Sequence, residues 1–237
     1  MPTLPLLLNG DSNKHNHLFK KSNMKKTLIL VAATLMMAGC NCSKDEQTST
    51  ITNADATLAT IMSRKSVRSF TGEAVSDSTI TTLLQAAMAA PSGRNIQPWH
   101  FVVLRDTSCY TQIFSEANFN MPIFKASSAI VVFCADTTVT APPREDPQGE
   151  AVTRPNGLWR DDLGASTENL LLAVEAMGLG AVWTALYPYP ERMNPVREAL
   201  ALPANVVPYC AVPIGVPTGD DQPKDKWKPE RIHHGTW

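Results

Sequence analysis

Ala90-Pro91-Ser92-Gly93-Arg94-Asn95-Ile96-Gln97-Pro98-Trp99-His100-Phe101 joins a helical pattern to a strand-like one through a turn of short polar residues. On its N-terminal side, Ile80, Leu83, Leu84, Ala87 and Met88 follow the 3.6-residue period, Ser76 or Asp77 supplies an N-cap, and Pro91 ends the run. On its C-terminal side, Phe101 to Leu104 reads as a strand. A polar turn held between two rigid elements can bring backbone N–H groups to the edge of a planar ligand.

Working outward, Ala129 to Ala135 is continuously apolar, which predicts a strand buried on both faces. Leu163, Thr167, Leu170, Leu171, Val174 and Met177 mark the strongest helix, stopped by Gly178 in the usual C-terminal glycine position. A short strand over Ala181–Trp183, a helix over Pro190–Leu200 and a strand over Val206–Val212 follow. Leu58, Ile61 and Met62 predict a short helix ending near Arg64, and residues 112–117 a further helical turn. Residues 138–156 hold four prolines without a clear period and read as a long mobile loop, a common place for an active-site cover. Helices and strands alternate irregularly, with no repeat and no glycine-rich dinucleotide turn.

Ahead of these elements, Met24-Lys25-Lys26, the apolar run Thr27 to Met37 and Ala38-Gly39-Cys40 have the charged, apolar and small-residue parts of an export signal. The apolar run is too short to span a bilayer as a mature helix. Cysteine directly after Ala-Gly resembles the lipobox of bacterial lipoproteins, in which cleavage precedes a cysteine that is then acylated; Cys40 is the expected lipidation site, although Met37 stands where leucine is usual. The expected organisation is a non-native extension over 1–23, a signal peptide over 24–39, a polar tether over 40–54 and one domain over 55–237. This places the mature chain on the cell envelope. Losing residues 1–39 removes Lys14, Lys20, Lys21, Lys25, Lys26 and Asp11 from the 21 basic and 22 acidic residues, leaving 16 against 21, a net charge of −5. That balance argues against a nucleic-acid partner.

Cys134 and Cys210 sit in apolar runs, as buried free thiols do, and with Cys109 they make an odd count that gives no disulfide framework. No metal-binding spacing occurs. Arg64 and Arg68, four apart, would share a face on a helical turn with Ser66 nearby, a donor set suited to a terminal phosphate. Lys224 and Lys226 add cations near the C-terminus. Either cluster alone reads as a solvated basic surface, but with the Pro-Ser-Gly-Arg-Asn turn they suggest one phosphate-bearing aromatic cofactor. Trp99 and Trp183 read as packing aromatics, and Tyr187 and Tyr189 as residues of a pocket mouth.

In the order and spacing of these segments the chain resembles the FMN-dependent nitroreductase family. The resemblance spans most of residues 57–237 and rests on Arg64-Lys65-Ser66-Val67-Arg68-Ser69-Phe70, Ala90 to Phe101, Gly178-Leu179-Gly180-Ala181-Val182-Trp183-Thr184 and Pro223-Lys224-Asp225-Lys226. It implies an α+β fold, a twisted, mainly antiparallel sheet flanked by helices, and an intertwined homodimer with two FMN molecules at the interface. By the same resemblance Arg64, Ser66 and Arg68 hold the phosphate and reach the pyrimidine edge of the ring. Lys224 and Lys226 complete the phosphate site. Pro91, Ser92 and Asn95 are presented to the flavin by the partner subunit, Asn120 contacts the ring, and Thr184, Ala185 and Leu186 lie near its reactive nitrogen. Ala185-Leu186 departs from the glycine or glutamate found in many members.

The activity implied is electron transfer through FMN, ping-pong, from NAD(P)H or an envelope donor to a nitroaromatic, quinone or similar acceptor, with no side-chain nucleophile. A lipoprotein facing away from the cytosol meets little nicotinamide, so a quinol or redox protein is an alternative donor. The rival class is a non-catalytic envelope lipoprotein that binds flavin or another small ligand.

Overall fold

The computed structural model describes residues 52–237. The anticipated extension, the signal segment with Cys40 and all but the end of the tether lie outside the described residues. Helix α1 (Asn53–Ser63) starts at a capping box, in which Thr52 accepts from the Asp55 N–H while the Asp55 carboxylate accepts from the Thr52 N–H. Leu58, Ile61 and Met62 of α1 are all exposed. Helix α2 (Asp77–Met88) starts at Ser76, whose hydroxyl accepts from the Thr79 N–H, and buries Ile80, Leu83 and Ala87.

A tight turn at Gly93–Asn95, with Arg94 and Asn95 in the left-handed region, leads into β1 (Trp99–Leu104). Next come α3 (Thr107–Ile113), α4 (Met121–Ala126) and β2 (Ala129–Asp136). The helix predicted at residues 112–117 is shifted. Asp106 caps α3 early by accepting from the Ser108 N–H at 2.8 Å, and the chain turns extended at Phe114. That turn buries the Phe114 ring against Phe119 and Phe124, 5.1 and 4.7 Å away between centroids.

The predicted loop at residues 138–156 is instead an antiparallel hairpin, β3 (Thr138–Ala141) with β4 (Val152–Pro155). Threonine and valine dominate the paired ends, and the Thr140 and Thr153 hydroxyls meet at 2.7 Å. Pro142, Pro143 and Pro147 fall in the tip, where no ladder bond is lost. Helix α5 (Trp159–Ala176) begins earlier than its apolar stripe indicated and ends at Gly178, which takes the left-handed conformation (φ 69°).

The single strand predicted over Ala181–Trp183 is two pieces, β5 (Gly180–Ala181) and β6 (Thr184–Ala185), separated by Val182 and Trp183. Helix α6 (Pro190–Ala199) and β7 (Val206–Gly215) complete the core. The main sheet is antiparallel throughout, ordered β1-β2-β7-β5, with β6 also on β7. The fold is thus α+β, as expected. Its β2–β7 register shifts between Phe133 and Cys134, leaving Tyr209 in a bulge whose carbonyl accepts from the N–H groups of both Leu186 and Tyr187.

Strand β2 explains the two helical layers. Ala129, Val131, Phe133 and Ala135 pack with α2 and α5 on one face, while Ile130, Val132 and Cys134 pack with α3, α4 and α6 on the other. Each fully buried side chain of the leucine or phenylalanine kind stabilises the fold by about 1.5–3 kcal/mol. Cys134 and Cys210 are buried and unbridged, and burial pushes the Cys134 thiol up to about 12 and the Cys210 thiol up as well. Among the described residues, no helix is long and apolar enough to cross a membrane.

Candidate cofactor site

Helix α1 ends at Arg64, where the backbone leaves helical geometry (φ −55°, ψ 131°), and residues 64–69 run without helix. The helical turn expected here is absent. Arg64, Ser66 and Arg68 share a side because alternate residues do so on extended chain. Val67 points the other way, 1% exposed, and its N–H donates to Ala181 O at 2.9 Å. Gly180 makes that approach feasible, since a Cβ there would fall 2.6 Å from Val67 Cγ1. Two ion pairs tie the segment to α5: Arg64 Nε to Glu168 Oε1 at 2.9 Å and Lys65 Nζ to Glu175 Oε1 at 3.0 Å.

The chain after β7 runs antiparallel to this segment. Thr71 N–H donates to Val216 O, Phe70 forms a bridge with Pro217, Thr218 N–H donates to Ser69 O, and Arg68 N–H donates to Asp221 Oδ2 at 3.0 Å. These contacts bring the two ends of the domain together. Arg64, Lys65, Ser66, Arg68, Asp221, Gln222, Lys224 and Lys226 line one cleft, about 470 Å³ including its open mouth. With Arg64 and Lys65 paired to glutamates, Arg68, Lys224 and Lys226 supply the cationic surplus, against Asp221. That donor set fits a phosphate dianion.

A second cleft adjoins the first through Arg68, which lines both. Phe119, Ile123, Phe124, Val182 and Trp183 give it apolar walls, and Asn118, Asn120, Thr184, Ala185 and Arg192 give it polar ones. Asn120 stands at the start of α4, exposed and with no side-chain cap bond, so its amide is available to a ligand. Arg192 lies over the Tyr189 and Phe119 rings, 5.0 and 5.6 Å from their centroids, and donates to Ala185 O at 3.1 Å. Asn118 donates to Ser115 Oγ and Glu191 O. An aromatic ring with polar edges, linked to a phosphate, matches two clefts that share a guanidinium.

Of the residues anticipated from sequence, Arg64, Ser66, Arg68, Lys224 and Lys226 meet in the first cleft, and Arg68, Asn120, Thr184 and Ala185 in the second. Leu186 is not among the lining residues. Its side chain is fully buried, and its N–H is committed to Tyr209 O. Pro91, Ser92 and Asn95 line neither cleft of their own chain. They belong to the turn at residues 91–97, where Gly93 N–H donates to the buried Asp162 Oδ1 at 2.8 Å and Gln97 N–H to Ser92 Oγ at 3.0 Å. Sequence reading missed Asp221, Gln222, Asn118 and Arg192. Asp221-Gln222 directly precedes Pro223-Lys224 and could have been drawn into that motif, whereas Asn118 and Arg192 reach the cleft only through tertiary packing.

The profile of the nitroreductase family matches residues 61–109 and 107–216. A protein of Archaeoglobus fulgidus named as a candidate NADH dehydrogenase/NAD(P)H nitroreductase is 37% identical over 183 residues, 76% of this chain and 98% of that one. The crystal structure of a similarly named Parabacteroides distasonis protein superposes with a TM-score of 0.66 at 38% identity, over 76% of this chain and 98% of that one. A candidate nitroreductase of Desulfovibrio desulfuricans, solved in complex with FMN, is 30% identical with a TM-score of 0.59, over 76% of this chain and 97% of that one. An α+β fold with a cationic cleft joined to an aromatic-lined one defines the class. The chain belongs to the nitroreductase family.

Proposed function

We propose that the protein is an FMN-dependent oxidoreductase, moving reducing equivalents from NAD(P)H, or from a quinol or redox protein if it faces away from the cytosol, to a small nitroaromatic or quinone-like acceptor in alternating half-reactions. The observation that carries this reading is the position of Arg68, common to the cationic cleft and the aromatic one. When bound, FMN supplies the two-electron redox centre. Ser66, Lys224 and Lys226 hold the phosphate. Arg68 and Asn120, which line the second cleft, would hold the pyrimidine edge of the ring and supply donors for negative charge there. Phe119, Val182 and Trp183 keep water from the ring, and no side chain acts as a nucleophile.

The functional unit is a homodimer in which Pro91, Ser92 and Asn95 of one subunit complete the site of the other. Two observations support it: those residues line neither of their own chain's two clefts, and Leu58, Ile61, Met62, Trp227 and Ile232 leave apolar surface exposed. The mature chain begins at Cys40 and is held to the envelope by its lipid. Mass spectrometry of the N-terminal peptide tests that point, and an unmodified, uncleaved peptide would refute it.

The decisive experiment is a visible spectrum recorded during anaerobic titration with NADH, NADPH and a quinol analogue, alongside sedimentation. Dimeric yellow protein bleached by one donor and recoloured by a nitroaromatic is expected. Protein that stays colourless after incubation with FMN would sink the proposal, and bound flavin that no donor reduces would identify a non-catalytic carrier.

A further inference from the structure

Arg94, Arg144 and Arg154 converge on a third cleft, between the turn before β1 and the β3–β4 hairpin, with Pro143, Glu145 and Val152 as its other walls. The cleft encloses about 510 Å³ including its mouth. Among the lining residues three guanidiniums face one carboxylate, a local cationic excess separate from the FMN phosphate site. Among the described residues, Arg94 and Arg144 have no hydrogen-bond or ion-pair partner, while Arg154 donates to Ala141 O at 3.0 Å across the hairpin.

The turn that carries Arg94 is held in an unfavourable conformation. Arg94, Asn95 and Gln97 all have left-handed backbones, at φ 56°, 55° and 53°; asparagine adopts this region readily, but arginine and glutamine do so rarely. Asp162 and Ser92 fix the turn through the Gly93 and Gln97 N–H groups. Non-glycine residues held in this region cluster at active sites, ligand clamps and switch turns. Arg94 also lies between Ser92 and Asn95 in sequence, so in the proposed dimer the cleft adjoins the turn that completes the partner's cofactor site.

We propose that Arg94, Arg144 and Arg154 form a subsite for anionic oxygens of a reactant, phosphate on a dinucleotide donor or carboxylate on an acceptor. Planar guanidiniums bind either group through paired charge-assisted hydrogen bonds. The inference rests on the oxidoreductase reading for its choice of ligands. The site would sort charged reactants from neutral ones without touching the FMN phosphate, which has its own cations.

The test uses the full chain with FMN and the variants Arg144→Gln and Arg144→Glu. NADP+, NAD+, 4-nitrobenzoate and 4-nitrobenzamide are titrated calorimetrically, and KM is measured for the matching reactants. Arg144→Gln is expected to weaken at least one charged ligand about tenfold and Arg144→Glu more, with FMN content and the neutral acceptor unchanged. Loss confined to NADP+ assigns the 2′-phosphate, equal loss for both dinucleotides the diphosphate, and loss for nitrobenzoate the acceptor. The same loss should shrink as salt rises. Unchanged binding of all four ligands in both variants overturns the proposal. Colourless protein that still binds NADP+ through Arg144 would sink the redox reading and keep the subsite.

Discussion

The backbone N–H of Arg68 donates to Oδ2 of Asp221 at 3.0 Å, between residues 153 positions apart in sequence. This bond continues the antiparallel pairing of residues 69–71 with 216–218 and fixes where Lys224 and Lys226 stand relative to Arg64 and Ser66. Asp221→Ala is expected to weaken FMN binding by roughly threefold to tenfold, the range for losing an exposed charge-assisted hydrogen bond. Flavin fluorescence titration of the apoprotein measures it. Tighter binding would mean that repulsion between the carboxylate and the phosphate outweighs the anchoring.

Phosphate and ring contacts separate by ligand. Replacing Lys224 and Lys226 together with alanine is expected to raise the Kd for FMN about tenfold to a hundredfold and leave that for riboflavin, which lacks the phosphate, unchanged. Arg68→Ala should weaken both, because Arg68 lines both clefts. Equal loss for both ligands in the lysine variant would move the phosphate elsewhere.

Val67 and Gly180 set the depth of the cationic segment. Gly180→Ala places a methyl group into Val67 and is expected to cost about 1–3 kcal/mol, with a lower melting temperature and weakened FMN binding. Val67→Ala in the same chain should return part of that loss, as a double-mutant cycle would show. Strictly additive losses would disprove the contact.

Asp136 provides a pH-dependent term. Burial works against its charged form, but Oδ1 accepts from Thr138 N–H at 2.8 Å, Thr138 Oγ1 at 2.7 Å and Asn205 Nδ2 at 3.0 Å, and the balance lowers its pKa. A carboxylate with a lower pKa folded than unfolded contributes stability above its unfolded value, and that contribution is lost as pH falls through the folded one. Asp136→Asn is therefore expected to destabilise the protein at pH 7 by on the order of 1 kcal/mol, after allowance for solvent screening. The gap to wild type should close below about pH 4. Chemical unfolding from pH 7 to 3 measures it, and a constant gap would contradict the assignment.

Elements whose signal is local were legible. Ser76 caps α2 where expected, Gly178 ends α5, and the burial of β2 on both faces follows from its unbroken apolar run. The hairpin at residues 138–155 was hidden by prolines that the tip absorbs, and β5–β6 by a break at Val182-Trp183 too short to register as a change of period. The site divides the same way. The residue types in the phosphate cleft were readable, but their shared side was assigned to a helical turn, because Val67 meeting Gly180 is a long-range fact that no window of sequence contains. Leu186 gave no hint that its N–H is committed, since the acceptor is a bulge carbonyl on another strand.

Residues 216–226 are synthesised long after Arg64, yet they form half of the cleft that Arg64 opens. A nascent chain can therefore fold α2 and β1–β2 long before it can retain a prosthetic group. Loading must wait until that segment has emerged, and a chain stopped near residue 215 would lack half of the cleft.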